Sequence, residues 1–308
     1  MLGFVFPGQG SQEVGMLSEF VQAEPVVQQC FAEADEALGI SLSKTIADGP
    51  AEELNQTAIT QPAILTASVA LWRLWTQRSD VRPEVMAGHS LGEFTALVCS
   101  DALPFADVVK LVNLRGKLMQ KAVPAGEGAV AAILGLDDAQ VAECCQGIDG
   151  VVAPANFNAP GQIVIVGHTA SVDASIEKCQ AAGAKRAMKL PVSVPVHCEL
   201  MAPAAEEFAA ALNALDLQMP KVRIVQNVDA EVSETVEALR QRLISQLSQP
   251  VLWSKSIERM VSDGMTSAIE CGPGKVLGGL IRRIDKSVSV AALDSEASFA
   301  KALDGVSA

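Results

Sequence analysis

The 308-residue sequence predicts an α/β protein, with a parallel sheet covered by helices on both faces and a small ferredoxin-like subdomain inserted into it. Three observations carry that reading. Short apolar runs alternate with helical stretches from the first residues onward. Between about residues 124 and 194 the order changes to β-α-β-β-α-β. A Gly-His-Ser-Leu-Gly turn at 88–92 joins an apolar strand end to a helix.

Leu2–Phe6 is a short apolar run stopped by Pro7-Gly8-Gln9-Gly10. Helical stretches follow, the clearest over Ile59–Arg78, with Pro62 in its first turn and apolar residues at Ile64, Ala67, Leu71, Leu74 and Trp75. Val85–Ala87 reads as a buried strand end and Leu91–Ser100 as a helix. The helix after Pro104 carries an apolar stripe at 108, 111, 112, 118 and 119.

Pro124-Ala125-Gly126 opens the inserted unit. Within it, Ala129–Leu134 is a strand and Asp137–Gln146 a helix with an acidic first turn. Val151–Asn156 and Gln162–Val166 are strands joined through Asn158-Ala159-Pro160-Gly161. Ser171–Ala182 is a helix, Arg186–Val192 a last strand, and Pro191 to Pro195 closes the unit. The chain thus divides into 1–123 and 195–308, forming the large domain, and 124–194, forming the small one. The return to the large domain brings helices over Met201–Leu215, Ser233–Leu247 and Trp253–Asp263. A strand over Thr266–Glu270, the turn Cys271–Gly274 and a further helix follow. A cleft between the two units is the natural ligand site.

Composition narrows the function. Hydrophobic residues are 49% and charged residues 19%, which excludes a disordered chain. A net charge of −13 argues against nucleic acid or an anionic membrane as partner. No apolar run has the length of a membrane span, and the N-terminus does not resemble a signal peptide. The 7 cysteines include no C-x-x-C pair and are expected to be reduced and mostly buried, as in a cytoplasmic protein. His and Cys show no metal-ligand spacing. Gly272–Gly278 has neither Rossmann nor phosphate-loop spacing.

Gly88-His89-Ser90-Leu91-Gly92 fits G-x-S-x-G, and the strand before it and helix after it complete a nucleophile elbow. Such a serine projects at a helix N-terminus, and the amide of Leu91 is free to donate to an oxyanion. Ser90 needs a base, and the chain has 3 histidines. His89 sits inside the elbow and reads as a buried, hydrogen-bonded scaffold. His168 opens a helix in the small unit and reads as a cap or surface residue. His197, at the junction of the two units, remains as the general base. No aspartate between Ser90 and His197 has a distinguishing signal, and a carbonyl could orient the imidazole equally well. Arg115 falls on the inward stripe of its helix, so it needs a partner: an internal acid, or a substrate carboxylate held bidentately.

The motifs Phe4–Gln12, Gly88–Glu93, Arg115-Gly116, Asn158–Gln162, Pro195–His197, Gln246–Pro250 and Glu270–Lys275 together resemble bacterial malonyl-CoA:acyl carrier protein transacylases over nearly the whole chain. The resemblance implies an α/β-hydrolase-like large domain with a ferredoxin-like small one. It implies ping-pong transfer of malonyl from malonyl-CoA to the phosphopantetheine thiol of acyl carrier protein, for fatty acid biosynthesis. In that scheme Ser90 is the nucleophile and His197 the base, and Gln246 orients His197 through a carbonyl. The amides of Gln9 and Leu91 form the oxyanion hole, and Arg115 grips the malonyl carboxylate. No cofactor or metal is implied: coenzyme A is product and phosphopantetheine belongs to the partner. A monomer is the default. Val196, before the histidine, bears on acyl choice. The competing readings are a serine esterase or thioesterase, a polyketide-pathway acyltransferase, and a non-catalytic carrier-binding component. The clusters Lys185-Arg186…Lys189 and Arg282-Arg283…Lys286 are the local positive surface on which an acidic carrier protein would dock.

Overall fold

The structure is a computed structural model that describes residues 1–124, 126–192 and 194–307. In chain order the elements are β1 (Leu2–Phe6), α1 (Ser18–Ala23), α2 (Pro25–Leu38), α3 (Leu42–Asp48), α4 (Ala51–Leu54), α5 (Thr57–Arg78), β2 (Val85–Gly88), α6 (Leu91–Cys99) and α7 (Phe105–Ala122). Then come β3 (Gly128–Leu134), α8 (Asp138–Cys144), β4 (Val152–Ala159), β5 (Gln162–His168), α9 (Thr169–Ala181) and β6 (Arg186–Lys189). The chain ends with α10 (Ala202–Asn213), β7 (Arg223–Val225), α11 (Val236–Ser245), α12 (Trp253–Ser262), β8 (Ser267–Glu270), α13 (Val276–Ile284), β9 (Ser289–Ala292) and α14 (Glu296–Ser307).

A five-stranded parallel sheet, ordered β7-β2-β1-β8-β9, forms the large unit. Both its faces are buried, as a parallel sheet requires: Phe4 and Phe6 enter one apolar core, and Val5 enters another with Val85, Ala87, Trp253 and Ile257. The sequence reading found β1, β2 and β8 but not β7 or β9. These are three and four residues long, at the two edges, and too short to show a period.

The second sheet has the order β4-β5-β3-β6, antiparallel throughout, with α8 and α9 against one face. That is the ferredoxin-like arrangement the β-α-β-β-α-β order predicts. Alternation along β3 explains the two faces. Ala129, Ala131 and Ile133 pack on the helices, while Val130 joins Val166, Ala155 and Cys198 on the other side, toward the large unit.

Several boundaries differ from the sequence reading. β4 runs on to Ala159, so the connection to β5 is only Pro160-Gly161. β6 ends at Lys189, not Val192. Asp137 is the N-cap of α8, in a capping box with Gln140, rather than its first residue. Ala125, in the opening turn of the unit, lies outside the described residues. Of the 7 cysteines none is in a disulfide, and Cys145 is the one not fully buried.

Pro62 gives the most instructive difference. α5 begins at Thr57, so the proline lies inside the helix and frees the carbonyl of Ala58. That carbonyl accepts instead from Asn113 Nδ2 of α7 at 2.7 Å. Here the two helices nearly touch: a Cβ on Gly116 would stand 2.6 Å from Ala58 Cα. The close crossing fixes the neighbouring residue, Arg115.

Candidate active site

β2 leads into the tight turn at Ser90, and α6 leads out of it. Ser90 has φ 51° and ψ −103°, a conformation that L-residues seldom adopt. The glycines make room for it. A Cβ on Gly88 would stand 1.8 Å from the Gly92 carbonyl carbon, and one on Gly92 would stand 2.1 Å from Phe6 O. Asn227, in the turn after β7, clamps the same corner: its Oδ1 accepts from Ser90 N and its Nδ2 donates to Gly88 O, both at 2.7 Å.

His197 stands 2.8 Å from Ser90 Oγ through Nε2, although 107 residues separate them. Its Nδ1 lies 2.6 Å from the Gln246 carbonyl oxygen. A carbonyl can only accept, so Nδ1 carries the hydrogen and Nε2 presents its lone pair to the serine. Burial, reinforced by the Arg115 charge, pushes the His197 pKa down to about 3. The imidazole is therefore neutral and ready to take a proton. Among the described residues no aspartate is bonded to it. Asp101 pairs with Lys221, Asp173 pairs with Lys189, and Asp137 caps α8.

Arg115 is 1% exposed and sits over the Phe94 ring, with Cζ 5.3 Å from the ring centroid. Its partners are neutral. Nη1 donates to Gln61 Oε1 at 2.8 Å, and Nη2 donates to Gln246 Oε1 at 2.9 Å and to Ser90 Oγ at 3.2 Å. Nε has no hydrogen-bond partner among the described residues. The internal acid that the sequence left open is thus not bonded to the guanidinium. Burial pulls the Arg115 pKa down to about 10, against the attraction of Glu93, so the group stays charged at neutral pH.

Gln246 holds this arrangement together. Besides its two acceptor roles, its Nε2 donates to Ser90 O at 3.0 Å and to Glu93 Oε2 at 2.5 Å. Glu93 is buried, which raises its pKa to about 7 against the lowering effect of Gln246.

Ser90, His197, Arg115 and Gln61 line one cleft of about 610 Å³ between the two sheets, as do Gln9 and Leu91. Neither amide of Gln9 nor of Leu91 donates to another group among the described residues. Opposite them stand Val130, Val164 and Val166 of the small sheet. His89, as the sequence suggested, is scaffold: Nε2 meets Asn158 Oδ1 at 2.7 Å and the ring packs on Trp253. His168 does not cap α9 through its side chain; Nδ1 accepts from Val151 N at 3.1 Å. Gln61 and Asn227 were not singled out from the sequence. Neither belongs to a pattern that marks it there.

The geometry provides a serine nucleophile, a neutral base, two free amides beside them and a buried cation facing the serine. Comparison with known proteins gives the family. The family model described as acyl transferase domain matches residues 3–297. The chain is 52% identical over 303 residues to the malonyl CoA-acyl carrier protein transacylase of Escherichia coli (strain K12), covering 98% of each. It is 44% identical to that of Bacillus subtilis (strain 168), over 95% of this chain and 93% of the relative. Among solved structures, the malonyl-CoA:acyl carrier protein transacylase of Xanthomonas oryzae pv. oryzae superposes with a TM-score of 0.97 at 50% identity, covering 99% of this chain and 98% of that one. A malonyl-transacylase solved in complex with its type II polyketide acyl-carrier protein also gives 0.97, at 47% identity over 99% of each chain.

Proposed function

This chain belongs to the acyl transferase domain family and, within it, to the malonyl-CoA:acyl carrier protein transacylases; on that premise we propose how its own residues carry the transfer. His197 Nε2 takes the Ser90 proton as Oγ attacks the malonyl thioester carbon. The amides of Gln9 and Leu91 hold the tetrahedral oxyanion, a contact worth about 3 kcal/mol per donor. The C–S bond breaks, His197 returns the proton to sulfur, and coenzyme A leaves as its thiol. The carrier protein's phosphopantetheine thiol then gives its proton to His197 and attacks the malonyl-serine ester. Collapse of the second intermediate breaks the bond from the acyl carbon to Ser90 Oγ, His197 returns the proton to Oγ, and the malonyl thioester leaves.

One observation carries the malonyl reading: a buried guanidinium bonded only to neutral groups, facing the nucleophile. A neutral acyl chain has no use for it, which disfavours an esterase or simple thioesterase. Ser90–His197 geometry disfavours a non-catalytic carrier-binding component. Fatty acid synthesis is the pathway we assign; the polyketide relative at 47% identity keeps that system as the alternative. Arg115→Ala should lower malonyl transfer about 100-fold or more, the loss of a charge-assisted bidentate contact of about 3 kcal/mol, while acetyl transfer from acetyl-CoA persists. Equal loss with both donors would remove the clamp role.

The carrier protein is expected on the basic clusters, which the fold joins into one stripe. Arg186 pairs with Leu134, Leu134 with Gln162, and Arg283 donates to Gln162 Oε1 at 2.6 Å. Charge reversal at Arg186 and Arg283 should raise KM for carrier protein and leave KM for malonyl-CoA as it was.

A further inference from the structure

Glu93 is an acid in the first turn of α6, 1% exposed, which the transfer chemistry does not use. It does not bond Arg115. Its Oε2 accepts from Gln246 Nε2 at 2.5 Å, and Gln246 Oε1 accepts from Arg115 Nη2 at 2.9 Å. Gln246 Nε2 also donates to the Ser90 carbonyl at 3.0 Å. We propose that Glu93 is a positioning residue for acyl selection: together with that carbonyl it holds the flip of the Gln246 side-chain amide and, through that amide, the Arg115 guanidinium that faces Ser90.

The argument rests on donor and acceptor counting. A carboxylate only accepts and a guanidinium only donates. An amide between them has one orientation that satisfies both. Turned over, it would set its NH₂ against the guanidinium donors and its oxygen against the carboxylate, two buried mismatches at once. The other amide on Arg115 has no such lock. Behind Gln61 lies the weak acceptor Met119 Sδ, 3.4 Å from Gln61 Nε2. Placing the acid one amide behind Arg115 also leaves it a nearby counter-charge without occupying its N–H groups. A carboxylate bonded directly would fill the seat meant for the guest.

The inference rests on Arg115 being the malonyl clamp, and the test separates the two. The measurement is the ratio of kcat/KM for malonyl-CoA to that for acetyl-CoA. Glu93→Leu should lower the ratio about tenfold or more, mainly through KM for malonyl-CoA. Glu93→Gln keeps an oxygen for Gln246 Nε2 and should recover most of it. With Arg115→Ala already present, Glu93→Leu should change the ratio no further. Should Glu93→Leu not fold, Glu93→Asp, whose carboxylate stops one methylene short, must lower the ratio instead. Equal loss with both donors, or an unchanged ratio, overturns the positioning role. If Arg115→Ala itself leaves the ratio unchanged, it is the clamp reading that fails.

Discussion

The two walls of the cleft are built on opposite plans. The large-unit wall is polar and over-determined. Ser90 is held by Asn227 and Gln246, His197 by a carbonyl, and Arg115 by two glutamines. The small-sheet wall is mostly apolar, with Val130, Val164 and Val166 facing across; of its two asparagines, Asn156 and Asn158, the second bonds to His89. The difference teaches a division of labour. One wall does the chemistry, because every reacting atom needs a fixed direction. On the proposed function, the other has only to exclude water from the ester, for which methyl groups suffice.

That contrast can be broken by substitution. Ser90→Ala should abolish transfer, a loss of about 10⁶ in kcat if the serine is a true nucleophile. Labelled malonyl-CoA should then leave no label on the denatured protein; retained label would place the ester elsewhere. Asn227→Ala should cost about 2 kcal/mol of stability and lower kcat more than KM, because it frees the strained corner around Ser90. Urea unfolding and steady-state kinetics read the two effects, and a loss of stability alone would reduce Asn227 to packing. Val166→Ala on the opposite wall should cost about 1–2 kcal/mol of stability but less than tenfold in kcat/KM. A greater catalytic loss there would dissolve the distinction between the walls.

The mildest effect concerns pH. Burial and the Arg115 charge hold His197 down to about 3, so the base contributes no acid limb near 6.5. Removing a neighbouring cation favours imidazolium, so Arg115→Ala should move the limb upward. The measurement is kcat/KM for acetyl-CoA against pH, made in a Glu93→Gln background because Glu93 itself titrates at about 7. A limb that stays put would mean that Arg115 does not act on His197.

What could be read from the sequence follows the same contrast. Glycines 88 and 92 announce the elbow because close backbone approach admits no other residue there. Arg115 shows itself as a charge on an apolar stripe, and His197 emerges because only 3 histidines compete. Gln246 entered only through family resemblance, since nothing near it in the chain marks a carbonyl as an orienter. Asn227, Gln61 and the role of Glu93 were hidden for a related reason. Each is an ordinary polar residue whose meaning comes from partners 19 to 153 positions away. Pro62 was placed in a first turn because prolines favour that position. Tertiary contact with Asn113 overrode the preference by taking up the freed carbonyl.

β4 also reaches beyond its own sheet. Phe157 N donates to Val251 O at 2.9 Å, and Val251 N donates to Ala155 O at 2.8 Å. Val251 lies five residues beyond Gln246, whose carbonyl steers the base. These bonds stitch the two halves together along one flank, like the spine of a book. The small sheet and the anchor of the imidazole are thus tied to one short run of backbone, so the position of β4 and that of the Gln246 carbonyl are set together.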